Sequence, residues 1–329
     1  MILDGRSPQA VVTAVGVLQA GGLLGLPTET VYGLAADADS DTAVAAIFAT
    51  KGRPANHPLI VHVASATQVA HFAATVPDFA ARLMQAFWPG PLTLILPRRS
   101  DVARAAAGGQ DTVGLRCPSH PVAQSVLQAC SALGLHGLAA PSANAFGRVS
   151  PTTAAHVQAE FGDALLVLDG GACDVGIEST IVDCSRGAPV LLRPGAITRA
   201  QVEAVAGVAL QSRNQVEEAE PRAPGTLAAH YAPAAKVRLM DAKALQTALD
   251  LLGRDAAHIA IYARKVPRTA SPALILRRMP DDAAATAQQL FAVLRDFDAR
   301  GVRLIWIETP PADPAWEGVH DRLERAAAA

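Results

Sequence analysis

The amino-acid sequence predicts an α/β protein with a mixed, twisted open sheet carrying helices, followed by a smaller doubly wound α/β domain. Three observations carry this expectation. Over the first two hundred residues, short apolar runs alternate with stretches of helical period, but not as a strict βαβ repeat, so the sheet should be partly antiparallel. From Ala206 to Ala235 the chain turns polar and proline-punctuated, with an acidic stretch at Arg213–Glu220, which reads as a connection between folded parts. Beyond it, strand-like and helix-like runs alternate regularly again. With 329 residues, two domains are the natural division: residues 1–205, a linker over 206–235, and residues 236–329.

The elements follow in order. Ser7-Pro8 offers an N-cap and a first helical residue, and Gly21-Gly22 ends that helix before the strand Leu23–Leu26. A helix over Asp41–Thr50 stops near Gly52, and the β-branched run Leu59–Val63 is a strand. Helices over Ser65–Ala73 and Pro77–Phe87 precede strands Leu92–Leu96 and Thr112–Arg116. Pro121–Leu133 reads as helix, and Leu138–Ala140, Ala164–Leu168 and Ser179–Asp183 as strands. In the last part, strands are expected at Val237–Met240, His258–Tyr262, Ala273–Leu276 and Arg303–Ile307, with helices at Ala242–Leu252, Asp281–Ala299 and Trp316–Ala326.

Composition narrows the function. A formal charge of −2 excludes bulk capture of nucleic acid, and 4% aromatic residues are too few for an extended base-stacking platform. The four cysteines contain no CxxC pair, which argues against a zinc cluster or dithiol redox motif and for buried thiols. No apolar run reaches the roughly 18 residues of a membrane span, and Met1–Ser7 lacks a signal-peptide apolar region, so a soluble, cytoplasmic protein is expected. P-loop, dinucleotide, HExxH and GxSxG motifs are all missing from the sequence.

What remains is a series of short polar segments beside apolar strands, where open α/β sheets build their sites. Thr28 and Thr30 in Pro27–Gly33 are either ligand hydroxyls or turn caps. Lys51 and Arg53, with His57 beyond, either converge on an anion or are solvated helix-end charges. Thr112 and Arg116 flank a strand, Arg116 at its exit; Ser142 and Asn144 lie two apart in Ala140–Asn144, followed by Ser150; Glu178-Ser179-Thr180 leads into a strand; Arg193-Pro194-Gly195 ends one. His62, within an apolar strand, reads first as a core histidine.

Taken in order, PTETVYGL, KGRP, PLIVHV, WPGPLTLIL, VGLRCP, PSAN, GIEST and LRPG resemble the YrdC-like domain of threonylcarbamoyl-AMP synthases over nearly all of residues 8–200. Pro224–Thr226 and His230–Pro233 are similar to the linker of the two-domain form. The resemblance implies formation of threonylcarbamoyl-AMP and pyrophosphate from L-threonine, bicarbonate and ATP. A downstream transferase complex would then use the product to modify tRNA beside the anticodon. It implies Thr30, His62, Arg116, Ala140 and Ser179 as threonine contacts. Lys51 and Arg53 would be catalytic, and Arg53, His57, Thr112, Ser142, Asn144, Ser150, Arg193 and Tyr231 would contact ATP. His57 departs from the family pattern, which has Asn in many relatives, so a nucleotide contact there is less secure. Mg²⁺ is implied as a companion of ATP, with no protein carboxylate cluster assigned to it. A hydrogenase-maturation domain of similar chemistry is disfavoured by the missing CxxC motifs. The alternative reading is an RNA-binding module of the same type without adenylate-forming activity.

Overall fold

Helix α1 (Pro8–Gln19) starts as its sequence dictates: Ser7 provides an extended N-cap and Pro8 the preset φ of the first turn. The computed structural model describes residues 1–212, 222–254, 256–265 and 267–329, and the acidic stretch Arg213–Glu220 lies outside them. The chain forms two compact units, Met1–Phe146 with Ser150–Thr226, and Gly147–Val149 with Leu227–Ala329.

The first unit adds β1 (Ile2–Asp4), β2 (Leu24–Leu26), β3 (Gly33–Asp37), α2 (Asp41–Lys51), β4 (Ile60–His62), α3 (Val69–Phe72) and α4 (Asp78–Phe87). Then come β5 (Leu92–Pro97), β6 (Thr112–Arg116), α5 (Pro121–Ala132), β7 (Leu138–Ala139), α6 (Ala154–Phe161) and β8 (Leu166–Asp169). It ends with β9 (Thr180–Asp183), β10 (Val190–Arg193), α7 (Arg199–Ala206) and β11 (Gln211–Ser212). Among the described residues the strands follow the order β1-β8-β2-β3-β7-β4-β6-β5-β9-β10-β11. The sheet is mixed, as expected: β4 runs parallel to β6, while β5 runs antiparallel to β6.

Alternation along β8 feeds two apolar clusters. Leu166 and Leu168 pack with Val15 and Leu18 of α1 and Val126 of α5, whereas Val167 joins the cluster of Ile47, Val61, Phe72, Leu83 and Leu115. Helix α2 has clear ends. The Ser40 hydroxyl accepts from the Ala43 amide, and Gly52 takes the left-handed conformation at φ 61° that an L side chain resists. Lys51 is therefore its last residue, and its side chain is buried.

Several elements go beyond the sequence reading. Strand β3 (GLAAD) has no β-branched residue and exists through antiparallel pairing with β2. Helix α6 is capped by Thr153, and α7 by a reciprocal Thr198/Gln201 capping box. The helix expected over Ser65–Ala73 is reduced to a 3₁₀ turn followed by the single turn α3.

The second unit contains β12 (Lys236–Met240), α8 (Ala242–Leu252), β13 (Ile259–Ala263), β14 (Ile275–Arg278), α9 (Ala283–Ala299), β15 (Leu304–Glu308) and α10 (Glu317–Ala327). Its strands are all parallel, in the order β12-β15-β13-β14. Leu245 and Leu249 of α8 pack on Ile259, Ile261 and Trp306. Asp298 accepts from the Ala234 and Ala235 amides, tying the entry to β12 onto α9.

The turn after β10 meets the chain entering β9 at Gly195. A Cβ there would lie 2.5 Å from the Thr180 amide nitrogen and 2.8 Å from the Glu178 carbonyl oxygen, main-chain atoms that cannot rotate aside. Gly195→Ala is expected to destabilise the protein by about 1–3 kcal/mol, read as a lower urea midpoint at unchanged m-value. A midpoint equal to wild type would refute that account of the turn.

Candidate active site

The segment leaving β2 is folded by its own hydroxyl. Thr28 Oγ1 donates to the Val31 carbonyl at 2.6 Å and accepts from the Thr30 and Val31 amides at 3.3 Å each. This turn accompanies burial of both Glu29 and Thr30. Arg116, at the end of β6, meets both: Nη1 donates to Thr30 Oγ1 at 2.7 Å, and Nη2 pairs with Glu29 Oε1 at 2.6 Å. Its Nε donates to the Gly90 carbonyl at 3.3 Å, and Glu29 Oε2 accepts from the Ser119 amide at 3.2 Å.

His62 stands in register with Arg116 across the β4–β6 pair. Its Nδ1 lies 3.2 Å from the Ile60 carbonyl oxygen. Burial, and then the neighbouring Arg116 charge, push its pKa down to about 3, so the imidazole is neutral at physiological pH. On the neighbouring strands, Ser179 Oγ bonds Thr93 Oγ1 at 2.7 Å. Arg193 Nη2 reaches both the Ser179 carbonyl at 2.9 Å and its hydroxyl at 3.2 Å. Arg193 Nη1 donates to the Pro224 carbonyl at 2.9 Å. Ser150 Oγ donates to Glu178 Oε1 at 2.5 Å.

A second group forms where α2 ends. Lys51 Nζ donates to the Ser142 carbonyl at 2.5 Å and to the Asn144 carbonyl, so the loop after β7 closes over the ammonium. Arg53 Nη2 donates to the Pro58 carbonyl at 2.9 Å, and its guanidinium lies 5.5 Å from the Phe146 ring centroid. Lys51 and Arg53 are buried, which disposes of the solvated-charge reading. Burial, with Arg53 adding to it, lowers the Lys51 pKa to about 7. His57 sets its ring against the edge of Phe146 at 5.4 Å, and burial, Arg53 and Arg222 all lower its pKa.

The remaining candidates are placed as follows. Ala140 is buried, its amide donating to the Ile60 carbonyl at 3.0 Å. Thr112 lines a hollow together with Pro58, Thr93, Arg222 and Pro224. Arg222 is held there by Gln110, whose amide side chain exchanges two bonds with the Arg222 main chain at 2.7 and 3.2 Å. Tyr231 belongs to the second unit, where it is buried with its ring 5.5 Å from Phe291 and Arg322 at 5.3 Å above it. The first unit thus gathers Thr30, His62, Arg116, Ser179 and Arg193 around one set of strand ends, and Lys51 against Ser142 and Asn144.

Comparison with known proteins assigns this arrangement. The family model described as Telomere recombination (Sua5, YciO and YrdC) matches residues 16–195, and the one described as Threonylcarbamoyl-AMP synthase, C-terminal domain, matches residues 197–328. Threonylcarbamoyl-AMP synthase of Pyrococcus abyssi is 37% identical, covering 95% of this chain and 92% of its own. The chain belongs to the threonylcarbamoyl-AMP synthase family. The Bacillus subtilis threonylcarbamoyl-AMP synthase is 35% identical over 99% of this chain and 94% of its own. The crystal structure of P. abyssi Sua5 complexed with L-threonine superposes with a TM-score of 0.89 at 34% identity, covering 99% of this chain and 97% of that one. Membership in this family of named synthases does not favour the RNA-binding alternative.

Two residues of this cluster escape the sequence reading. Glu29 lies inside the PTETVYGL motif, and an acidic residue between two threonines directly after an apolar strand is the signal that could have exposed it. Thr93 gives none, because a threonine inside a strand is ordinary. Among the described residues, no three His, Cys, Asp or Glu side chains gather to hold a metal ion. The four cysteines are buried thiols outside any disulfide, and burial raises their pKa values. Among the described residues, no helix is long and apolar enough to cross a membrane.

His62 yields a pH test. Its folded pKa of about 3 lies below the ordinary 6.5, so the unfolded chain binds the proton first as pH falls. Its stabilising contribution is complete above pH 6.5 and is lost towards pH 3, at about 1.4 kcal/mol per pH unit. His62→Gln should flatten the acid limb of the stability–pH curve by that slope. An unchanged limb would contradict the buried, neutral imidazole.

Proposed function

We propose that this chain joins L-threonine, bicarbonate and ATP into threonylcarbamoyl-AMP and pyrophosphate, with Arg116, Thr30, His62, Ala140 and Ser179 holding threonine, and Lys51 and Arg53 carrying the charge of the reaction. The observation that carries the reading is the bond from Lys51 to the Ser142 and Asn144 carbonyls, which joins the KGRP and PSAN segments into one cationic wall. The Arg116–Thr30–Ser179 group lies in the same unit. Membership in the family supports the reading.

The chemistry asks little of a nucleophilic side chain. The threonine amine takes up bicarbonate carbon as a carbamate, with loss of water; a carbamate oxygen then displaces pyrophosphate from the α-phosphorus. Catalysis is positioning and charge neutralisation. The planar Arg116 fork suits the threonine carboxylate. His57, Thr112, Ser142, Asn144, Ser150 and Arg193 would surround ATP, and Tyr231, within the 206–235 linker, would add a contact. Mg²⁺ would arrive on the ATP phosphates, whose charge it shields. The product would pass to a threonylcarbamoyl transferase complex acting on tRNA, a role that fits a cytoplasmic protein. The domain boundaries at 205 and 236 belong to the same reading.

Lys51→Ala and Arg53→Ala are each expected to lower threonine-dependent pyrophosphate release by a factor on the order of 10²–10³ with the circular-dichroism spectrum unchanged. Near-normal rates would remove these residues from the site, and release that ignores threonine in wild type would overturn the activity itself.

Lys51 also predicts proton uptake. With a pKa of about 7 in the empty protein, it is largely neutral at pH 8, and a polyphosphate placed beside it raises that pKa. ATP binding at pH 8 should take up a fraction of a proton that vanishes below pH 6. Calorimetry in buffers of different ionisation enthalpy measures it, and the excess over a Lys51→Met variant is the expected signal. Equal uptake in both proteins would contradict the assignment.

A further inference from the structure

We propose that Glu29 is a specificity residue of the threonine site: by pairing with Arg116 it gives the empty pocket one buried charge of each sign, so that the pocket selects a zwitterionic α-amino acid over a singly charged analogue. The inference rests on the reading that Arg116 receives the threonine carboxylate.

The pair is one of the most deeply buried in the protein, with side-chain exposures of 4% for Arg116 and 6% for Glu29. Both partners keep spare bonding capacity. Of the five guanidinium N–H groups, Nε faces Gly90 and one on Nη1 faces Thr30, while Nη2 is in ion-pair contact with Glu29 Oε1 at 2.6 Å without a hydrogen bond. At least one N–H on each terminal nitrogen is left over, and two such donors are what a carboxylate takes in a forked contact. Glu29 has its own remainder: Oε1 meets Arg116 and Oε2 the Ser119 amide, while an ionised carboxylate offers about four acceptor sites.

His62 is neutral through burial, and the Cys117 and Cys173 thiols are held protonated by burial. A free amino acid is itself a pair of opposite charges. Seated here, its carboxylate meets the Arg116 end and its ammonium the Glu29 end, and the buried site stays neutral. A ligand with only one of those charges leaves a net charge out of water, which low-dielectric surroundings punish. Glu29 thereby also explains how Arg116 tolerates burial before any substrate arrives.

The test is calorimetric binding without turnover, using three ligands: L-threonine, the matching 2,3-dihydroxybutanoate (an anion lacking the ammonium), and L-threoninamide (a cation lacking the carboxylate). Wild type should bind threonine more tightly than either analogue by on the order of tenfold to a hundredfold. In Glu29→Gln, the advantage over the dihydroxy acid should shrink about tenfold, because Arg116 then stands uncompensated. Glu29→Asp keeps the charge and should keep the preference, and it decides the matter if the Gln variant fails to fold. An analogue that matches threonine in wild type overturns the proposal. So does a ligand ratio unchanged in Glu29→Gln, or one lost in Glu29→Asp. Wild type that binds no threonine at all would instead sink the functional reading beneath it.

Discussion

Among the described residues of the first unit, Lys51, Arg53, Arg116 and Arg193 are buried, and each rests on main-chain carbonyl oxygens. Lys51 holds Ser142 and Asn144, Arg53 holds Pro58, Arg116 holds Gly90, and Arg193 holds Ser179 and Pro224. A site that handles a triphosphate needs positive charge out of bulk water, where it acts at full strength. The same burial is costly while the site is empty unless every cation finds a partner. Carbonyls meet that need because they solvate a cation without cancelling its charge. Arg116 also has a formal counter-charge in Glu29.

This requirement shapes the connections of the sheet. Carbonyls that turn inward must come from segments leaving the ladder, and those segments leave at prolines and glycines. Pro58 precedes β4, Gly90 precedes β5, Pro141 follows β7 and Gly195 follows β10. The mixed topology sorts these exits onto two edges of the sheet: Pro58 and Pro141 lie at the start of β4, while Gly90 and Gly195 lie at the end of β6. Parallel β4 and β6 set His62 beside Arg116, and parallel β5 and β9 set Thr93 near Ser179.

Much of this was legible from the chain. Ser7-Pro8, Ser40 and Gly52 announced their helices because capping is local chemistry, and Leu59–Val63 announced β4 because β-branched runs have few other uses. Strand β3 was not legible: Gly33–Asp37 carries no strand propensity and is imposed by its neighbour β2. Helices α6 and α7 carried readable caps in Thr153 and Thr198, but they are short and weakly periodic. At the site, the polar segments could be read as a set, since each followed or preceded an apolar run. Their partners could not. That Lys51 would reach the 142–144 loop, or Arg116 meet Glu29, depends on pairings more than eighty residues apart in sequence.

The carbonyl-held cations have a consequence for binding entropy. Lysine and arginine each lose on the order of 2 kcal/mol of rotamer freedom when fixed in one conformation. At an exposed site that loss falls on the binding step. Here Lys51, Arg53, Arg116 and Arg193 are already confined by Ser142, Pro58, Gly90 and Ser179, so the loss falls on folding. An incoming anion then exchanges partners with side chains that are already still, and a larger share of the electrostatic gain remains available as affinity. The cost appears as reduced global stability, borne by the apolar clusters on the two faces of the sheet.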